Sequence, residues 1–517
     1  MASSGRAEEA AFSPSSLFNQ GLTFRQNGSP ILASLWFRAY LESAADLPER
    51  KEIENEIERL EIQAGAKAQE LLRLAFSAAD QIADDFWDEK QEALERIANL
   101  TALSGRVDEA FRIKQGIDSD FSDASFYHRY SGEYLVLAHD YPAVQTEFHA
   151  ITDPDEAGVL LTTLAQYQLL RNERAAAQKV IHAMPPSPAR TQLLNQLATL
   201  YTRELKAESA LPLLEEAKTP EEKIILKNTL LMGFLKAGLR DNAKKMALEM
   251  DQSRTPAAKA VLGNGPETLQ KMIAAPPEEK NLGYWVSDLY QVTLALAWMG
   301  HLGEAQQGCE TIRQAASHFR NQTLSDYASM TCIYVAAEAG NFKKALPLMA
   351  EISPPTLKDF LVSLYWRLVY LKRYGEIQTL VDSVQNPNAK AALRVEFSKT
   401  LEPMGKKEAS REQLEQAYDL GVKFHLGFVL HDIASVFQKS GDHQQADEIF
   451  RTEKMTHWIF LARELEARES LADLAKFIEK NRTDDLPALS AALSQAAGDW
   501  ISAGILTRGI ERRHHQK

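Results

Sequence analysis

Two cysteines, Cys309 and Cys332, are all that 517 residues contain, which excludes a fold held by a disulfide framework. No run of about eighteen or more apolar residues occurs, so the sequence offers no membrane-spanning helix. Alternating β-branched runs are nearly missing, and proline pairs such as Pro185-Pro186, Pro276-Pro277 and Pro354-Pro355 fall between helical stretches. A sheet is therefore not expected. Excess positive charge is missing too: the formal net charge is −13, and no basic stripe is present to displace counterions from a phosphate backbone. That argues against nucleic acid as the main partner. The basic tail, Arg508, Arg512, Arg513 and Lys517, is short and reads as a frayed helix end.

Signatures of chemistry are missing as well. There is no Gly-x-Ser-x-Gly, no Gly-x-x-x-x-Gly-Lys and no His-Glu-x-x-His. His128, His149 and His182 have no cysteine or carboxylate at ligand spacing, and His514-His515 sit in the terminal tail. No catalytic residue, metal site or cofactor is expected.

What is present is a spacing. Gly105, Gly238, Gly300, Gly340 and Gly441 each stand five residues before an alanine: Ala110, Ala243, Ala305, Ala345 and Ala446. In this register the small residue of a second helix falls at Ala33, Ala110, Val144, Ala177, Ala210, Ala243, Ala305, Ala345, Ile377, Ser410, Ala446 and Ala503. From Ala110 to Ala243 the steps are 34, 33, 33 and 33 residues, a period that signals stacked helix pairs. The gap from Ala33 to Ala110 has room for a degenerate unit centred on a helix Lys51–Leu74. The gap from Ala243 to Ala305 has room for nearly two units.

Apolar residues recur within each unit at steps of three and four, the helical period. Leu17, Gly21 and Phe24 precede Asn27-Gly28, and Ala33, Phe37 and Tyr40 follow. Leu430, Ile433, Ala434 and Phe437 precede Gly441-Asp442, and Ala446 and Phe450 follow. One small residue on each helix lets the axes come close. Each such unit buries its apolar face against its neighbours, so the array grows without one large core.

These slots resemble the tetratricopeptide repeat family. Gly21, Ala98, Gly132, Ala165, Ala198 and Ala434 occupy the family's first small slot, and Phe24, Tyr201, Phe234 and Phe437 its aromatic slot. Leu231, Thr293, Ile333 and Tyr365 depart from the first slot, and Leu205 and Lys372 replace the turn glycine. The resemblance implies an all-α fold, a right-handed α-solenoid of helix-turn-helix repeats of about 33–34 residues, partly degenerate. The expected organisation is a flexible start (1–13), an N-terminal unit with linking helices (14–80), regular repeats (81–250) and an irregular connecting repeat (251–283). Further repeats (284–460), capping helices closing at Gly498 and Ala503 (461–507) and the basic tail (508–517) follow.

In this family the first helices line a concave groove, and the slots that face it here carry Tyr290, Trp298, Tyr334, Trp366 and Tyr370. Aromatic rings dominate binding hot spots, yet they also fill cores; both placements stay open. The family's carboxylate clamp is not expected: its slots hold Asn195, Thr199, Asn228, Thr229 and Met232, without the Lys and Arg members. The implied function is a non-enzymatic scaffold or adaptor that holds a protein or peptide partner in the groove. Two alternatives are a periplasmic component of a bacterial secretion, polymer-export or envelope-assembly system, and a small-molecule- or glycan-binding accessory protein.

Met1–Ala11 has no apolar core; the expected compartment is the cytoplasm for the sequence as written, and the periplasm if an export signal was removed from the native start. The stretch from Tyr40 through Pro48 to Glu61 resembles the N-terminal repeats of exported bacterial proteins. Stacking ends also permit a homo-oligomer. Cys309 and Cys332 fall on a second helix and the next first helix, which are packing neighbours. Two buried thiols are the favoured reading, and a bridge is geometrically open.

Overall fold

The turns decide the architecture. In the computed structural model, which describes residues 13–515 apart from 45, 119–120, 122, 139, 252–254, 276–281, 320, 425 and 468–485, positive φ falls where the register places its turns. Gly28, Gly105, Gly238, Gly300, Gly340, Gly405 and Gly441 have φ between +73° and +95°. Asn172, Leu205 and Lys372 adopt the same left-handed region at +60°, +62° and +57°. Five residues on, Ala33, Ala110, Ala177, Ala210, Ala243, Ala305 and Ile377 are fully buried.

A residue in this conformation closes a helix by returning the next amide to a carbonyl of the last turn. Thus the Leu239 N–H donates to the Phe234 carbonyl at 2.8 Å and the His301 N–H to Leu296 at 2.9 Å. Lys206 to Tyr201 and Arg373 to Leu368, both 3.0 Å, show that Leu205 and Lys372 keep the same bond pattern without glycine. At the other boundary, first helices often begin with a polar cap and proline. Ser187, Thr219 and Asn386 accept from the amide three residues on, and Pro188, Pro220 and Pro387 follow them.

All regular structure among the described residues is helical, in two compact units, residues 1–167 with 430–517 and residues 168–429. The first unit begins with the hairpin α1 (Pro14–Gln26) and α2 (Pro30–Ser43) and the long α3 (Arg50–Asp80). The hairpins α4 (Trp87–Leu103) with α5 (Val107–Ile117) and α6 (Ser125–Leu137) with α7 (Tyr141–Ala150) follow, then α8 (Pro154–Leu170). Close approach is literal here: a Cβ on Gly21 would lie 2.6 Å from the Phe37 ring, and one on Gly132 would lie 2.8 Å from Leu160.

The second unit holds α9 (Arg174–Ala183), α10 (Pro188–Arg203), α11 (Pro220–Lys236), α12 (Arg240–Leu248), α13 (Gly265–Ala274), α14 (Leu282–Met299) and α15 (Leu302–Phe319). It continues through α16 (Gln322–Glu338), α17 (Pro354–Tyr370), α18 (Tyr374–Ser383), α19 (Pro387–Leu401) and α20 (Lys407–Lys423). Short turns at 207–216 and 342–351 stand in for second helices. The chain then returns to the first unit through α21 (Gly427–Ser440), α22 (His443–Ala467) and α23 (Leu486–His515).

Three local expectations are corrected, and one, the room for a further unit before Ala305, is met. The segment after Ala33 is one helix of 31 residues, α3, rather than a helix pair. Its small stripe Ala64, Ala68, Leu72, Ala75 packs against Leu493, Ala496, Ala497 and Trp500 of α23. Gly498 makes no turn; it lies inside α23, where a Cβ would meet Leu100 at 2.9 Å. The long gap before Ala305 does contain a turn, at Gly263 (φ +108°), followed five residues on by buried Thr268. Cys309 and Cys332 are joined in a disulfide between α15 and α16, with Cα atoms 5.2 Å apart. Residues 1–12 of the expected flexible start, Pro276-Pro277 and residues 468–485 of the capping segment lie outside the described residues, as do the side chains of the basic tail.

Candidate functional site

In the second unit, the C-terminal ends of α10, α11, α14 and α16 are each capped by a cation from another part of the chain. The exposed carbonyls of a helix C-terminus carry partial negative charge and draw cations. Lys236 Nζ donates to the Arg203 carbonyl of α10 at 2.9 Å. Arg367 donates to the Lys236 carbonyl of α11. Arg240 reaches the last carbonyls of α14, Trp298 at 3.4 Å and Met299 at 3.2 Å. Arg373 donates to Ala337 and, at 3.1 Å, to the Glu338 carbonyl of α16.

This hub is built from buried cations, of which Arg367 is paired with a carboxylate. Arg367 is 3 % exposed and Lys236 5 %. Arg367 pairs with the Glu338 carboxylate through Nε at 2.5 Å and Nη2 at 2.9 Å. Lys236 also donates to Ser363 Oγ at 2.6 Å, which accepts from the Tyr334 hydroxyl at 2.6 Å. Burial, with Arg203 and Arg367 nearby, pushes the Lys236 ammonium well below its usual pKa. On the rim, Arg203 pairs with Asp359 at 2.6 Å.

Of the five aromatic residues expected at a groove, Trp298, Tyr334 and Tyr370 pack at this hub, and the five differ in exposure. Trp298 (7 % exposed) and Tyr334 (3 %) are buried, Tyr290 and Trp366 are partly buried, and Tyr370 is 44 % exposed. Trp298 meets Tyr334 edge-on at 5.9 Å, and Tyr334 meets Phe360 edge-on at 5.4 Å. The Arg367 guanidinium lies 5.9 Å from the Trp298 ring centre and 4.6 Å from that of Tyr370. The Tyr370 hydroxyl rests on Gly238, where a Cβ would be 1.8 Å away. Tyr290 sits apart from these, 5.0 Å from Tyr327, and burial pushes its hydroxyl pKa upward.

The slots of the missing carboxylate clamp form a polar ladder instead. Thr229 donates to Asn195 at 2.5 Å, and Asn228 donates to Gln291 at 2.9 Å. Below it, fully buried Arg190 pairs with Glu222, and its Nη2 donates to the Glu216 carbonyl at 2.9 Å. Burial raises the Glu222 pKa, but the bonds from Arg190, Lys218 and Thr219 outweigh it and hold the carboxyl below the ordinary range.

Sequence reasoning missed the cations of the hub. The signal was present: Lys236 ends the run Leu-Met-Gly-Phe-Leu-Lys, and Arg367 interrupts Leu-Tyr-Trp-Arg-Leu-Val. A single charge inside an apolar helix face needs a buried partner.

Among the described residues no group of three or more His, Cys, Asp or Glu side chains is placed to hold a metal ion, and no helix is long and apolar enough to cross a membrane. Neither a protein-family model nor a curated protein matches the chain. Among solved structures, a circular tandem repeat protein with novel repeat topology and enhanced subunit contact surfaces is 13 % identical, covering 98 % of this chain and all of its own. Its TM-score of 0.15 is too low to add to the fold established by the turns and helices themselves.

Proposed function

We propose that this chain is a non-enzymatic scaffold of the tetratricopeptide-like kind, and that its second unit holds a protein or peptide partner through Tyr290, Trp298, Tyr334, Trp366 and Tyr370. The observation that carries this reading is the graded exposure of the rings. Tyr370 is exposed and Trp366 partly so, while buried Arg367 lies over the Tyr370 ring and buried Tyr365 packs edge-on against Trp366. Rigid aromatics backed by a packed shell are the usual anchors of protein interfaces. The test is affinity capture from the producing cells with the wild-type chain, Trp366→Ala/Tyr370→Ala, and Phe424→Ala, another exposed ring in the same unit. A partner lost only from the double variant, at unchanged melting temperature, supports the reading. Equal capture by all three, or a large drop in melting temperature, overturns it.

The disulfide favours the exported form of this reading, an envelope or secretion component. Disulfides persist in oxidising compartments and are rare where thiols are kept reduced, and here both cysteines of the chain are bridged. Trapping thiols with an alkylating agent at the moment of cell lysis tests it: no modified cysteine in the native protein agrees, and two modified cysteines contradict it.

A further inference from the structure

We infer that the hub around Lys236 is a latch, an internal contact that closes the second unit over its own aromatic face and opens without unfolding the unit. In an array of stacked hairpins each repeat touches its neighbours. The hub contacts break that rule. Lys236 reaches Ser363 across 127 positions, Arg367 reaches the Lys236 carbonyl across 131, and Arg203 reaches Asp359 across 156. They join α10 and α11 directly to α17, past the intervening hairpins.

The chemistry of this contact differs from that of the repeat interfaces. Between neighbours, aliphatic residues such as Val286, Leu289, Ile312 and Val335 form the core. At the latch the joining atoms are polar: an ammonium, two guanidinium groups, a hydroxyl and helix-end carbonyls. Bonds of this kind exchange for water at small net cost, whereas apolar burial does not. The closed form also leaves donors unanswered: Trp298 Nε1, Trp366 Nε1 and Arg203 Nε are buried without a hydrogen-bond acceptor in the protein. Opening hydrates these three donors and Lys236 together, which offsets the bonds it breaks.

Opening uncovers Trp298 and Tyr334, the two most deeply buried of the five candidate rings. On the scaffold reading above, which this consequence alone requires, the partner competes with the chain's own α11 for α17. The latch would then set the fraction of molecules competent to bind.

Native-state hydrogen exchange of the full chain, wild type beside Ser363→Val, tests this without any partner. Ser363→Val removes the acceptor shared by Lys236 and Tyr334 and leaves the helix hairpins untouched. In the wild type, amides of residues 233–239, 334–338 and 364–370 are expected to exchange through a local opening, about tenfold or more faster than residues 391–398 of α19. In Ser363→Val that local exchange rises about tenfold further, with α19 unchanged. Hub amides that exchange only together with α19 would overturn the latch and make the hub ordinary core. A variant whose hub exchanges at the wild-type rate overturns it as well. If Ser363→Val does not fold, the wild-type comparison decides alone. Failure here removes the latch and leaves the scaffold reading to the Trp366/Tyr370 experiment.

Discussion

Leu205, Lys372 and Gly238 show how single residues set this fold. A non-glycine residue in the left-handed region costs about 1–2 kcal/mol because Cβ crowds the following carbonyl. Leu205→Gly and Lys372→Gly are therefore expected to raise stability, by at most about 1 kcal/mol once the greater freedom of glycine in the unfolded chain is counted. The reverse change separates two effects. At Gly105 nothing lies within 4 Å of an added Cβ, so Gly105→Ala carries the backbone cost alone. At Gly238 the new Cβ also collides with the Tyr370 hydroxyl, and Gly238→Ala is expected to cost about 1 kcal/mol more than Gly105→Ala. Urea denaturation of the four variants checks both claims; equal losses at Gly105 and Gly238 would mean that the Tyr370 contact contributes nothing.

Lys236 gives a pH dependence with a definite sign. Its pKa is lowered in the folded chain from 10.5, by burial and by Arg203 and Arg367, against the attraction of Glu204. Between that lowered value and 10.5 the unfolded chain binds one proton more than the folded chain, so stability rises with pH by up to about 1.4 kcal/mol per unit. Above 10.5 both states are neutral and the effect is complete. The difference between wild type and Lys236→Met across pH 7 to 10 should follow this rise; superimposable profiles would contradict it.

At the scale of elements, the disulfide fastens α15 to α16 across a turn. Closing a loop of 23 residues restricts the unfolded chain, and Cys309→Ala/Cys332→Ala is expected to lose about 3 kcal/mol. Helicity should be kept, because Leu289, Ile312 and Leu324 remain in the surrounding core. Denaturation with and without reductant provides the check: reduced wild type should match the double variant.

The hairpins themselves were legible in the sequence, for a physical reason. A turn and the helix it starts are fixed within about five residues, so Gly300 and Ala305, or Lys372 and Ile377, carry their meaning locally. The disulfide was not legible, since helical placement made Cys309 and Cys332 neighbours without saying whether sulfur met sulfur. The hub was not legible either. Periodicity records which face of a helix is apolar, and says nothing about whether Lys236 will meet Ser363 or water. Gly498 misled because glycine serves two needs, a left-handed turn and a close approach, and only its contact with Leu100 distinguishes them. Of the candidate site, the aromatic identities were readable and their graded burial was not.

At the scale of the molecule, each compact unit closes through contacts between distant stretches of chain. In the first unit the two ends of the sequence build one core. Trp36 Nε1 donates to Glu466 at 2.8 Å, Arg38 lies over the Trp458 ring, and Ser490 donates to the Ala75 carbonyl at 3.0 Å. Deleting residues 486–517 would bare the Ala64, Ala68, Leu72 and Ala75 stripe of α3. Limited proteolysis of that chain should then cut within residues 50–80 while residues 168–429 stay protected. Early cutting within 168–429 would contradict the division into two separately cooperative units.

The central claim is that the second unit meets a protein partner at the aromatic cluster beside the hub. The most direct measurement is site-specific photo-crosslinking in the producing cells, with a benzophenone amino acid replacing Tyr370 in one chain and Phe424 in another. A defined protein adduct is expected from position 370 and none from position 424. No adduct at 370, or the same adducts from both positions, would contradict it.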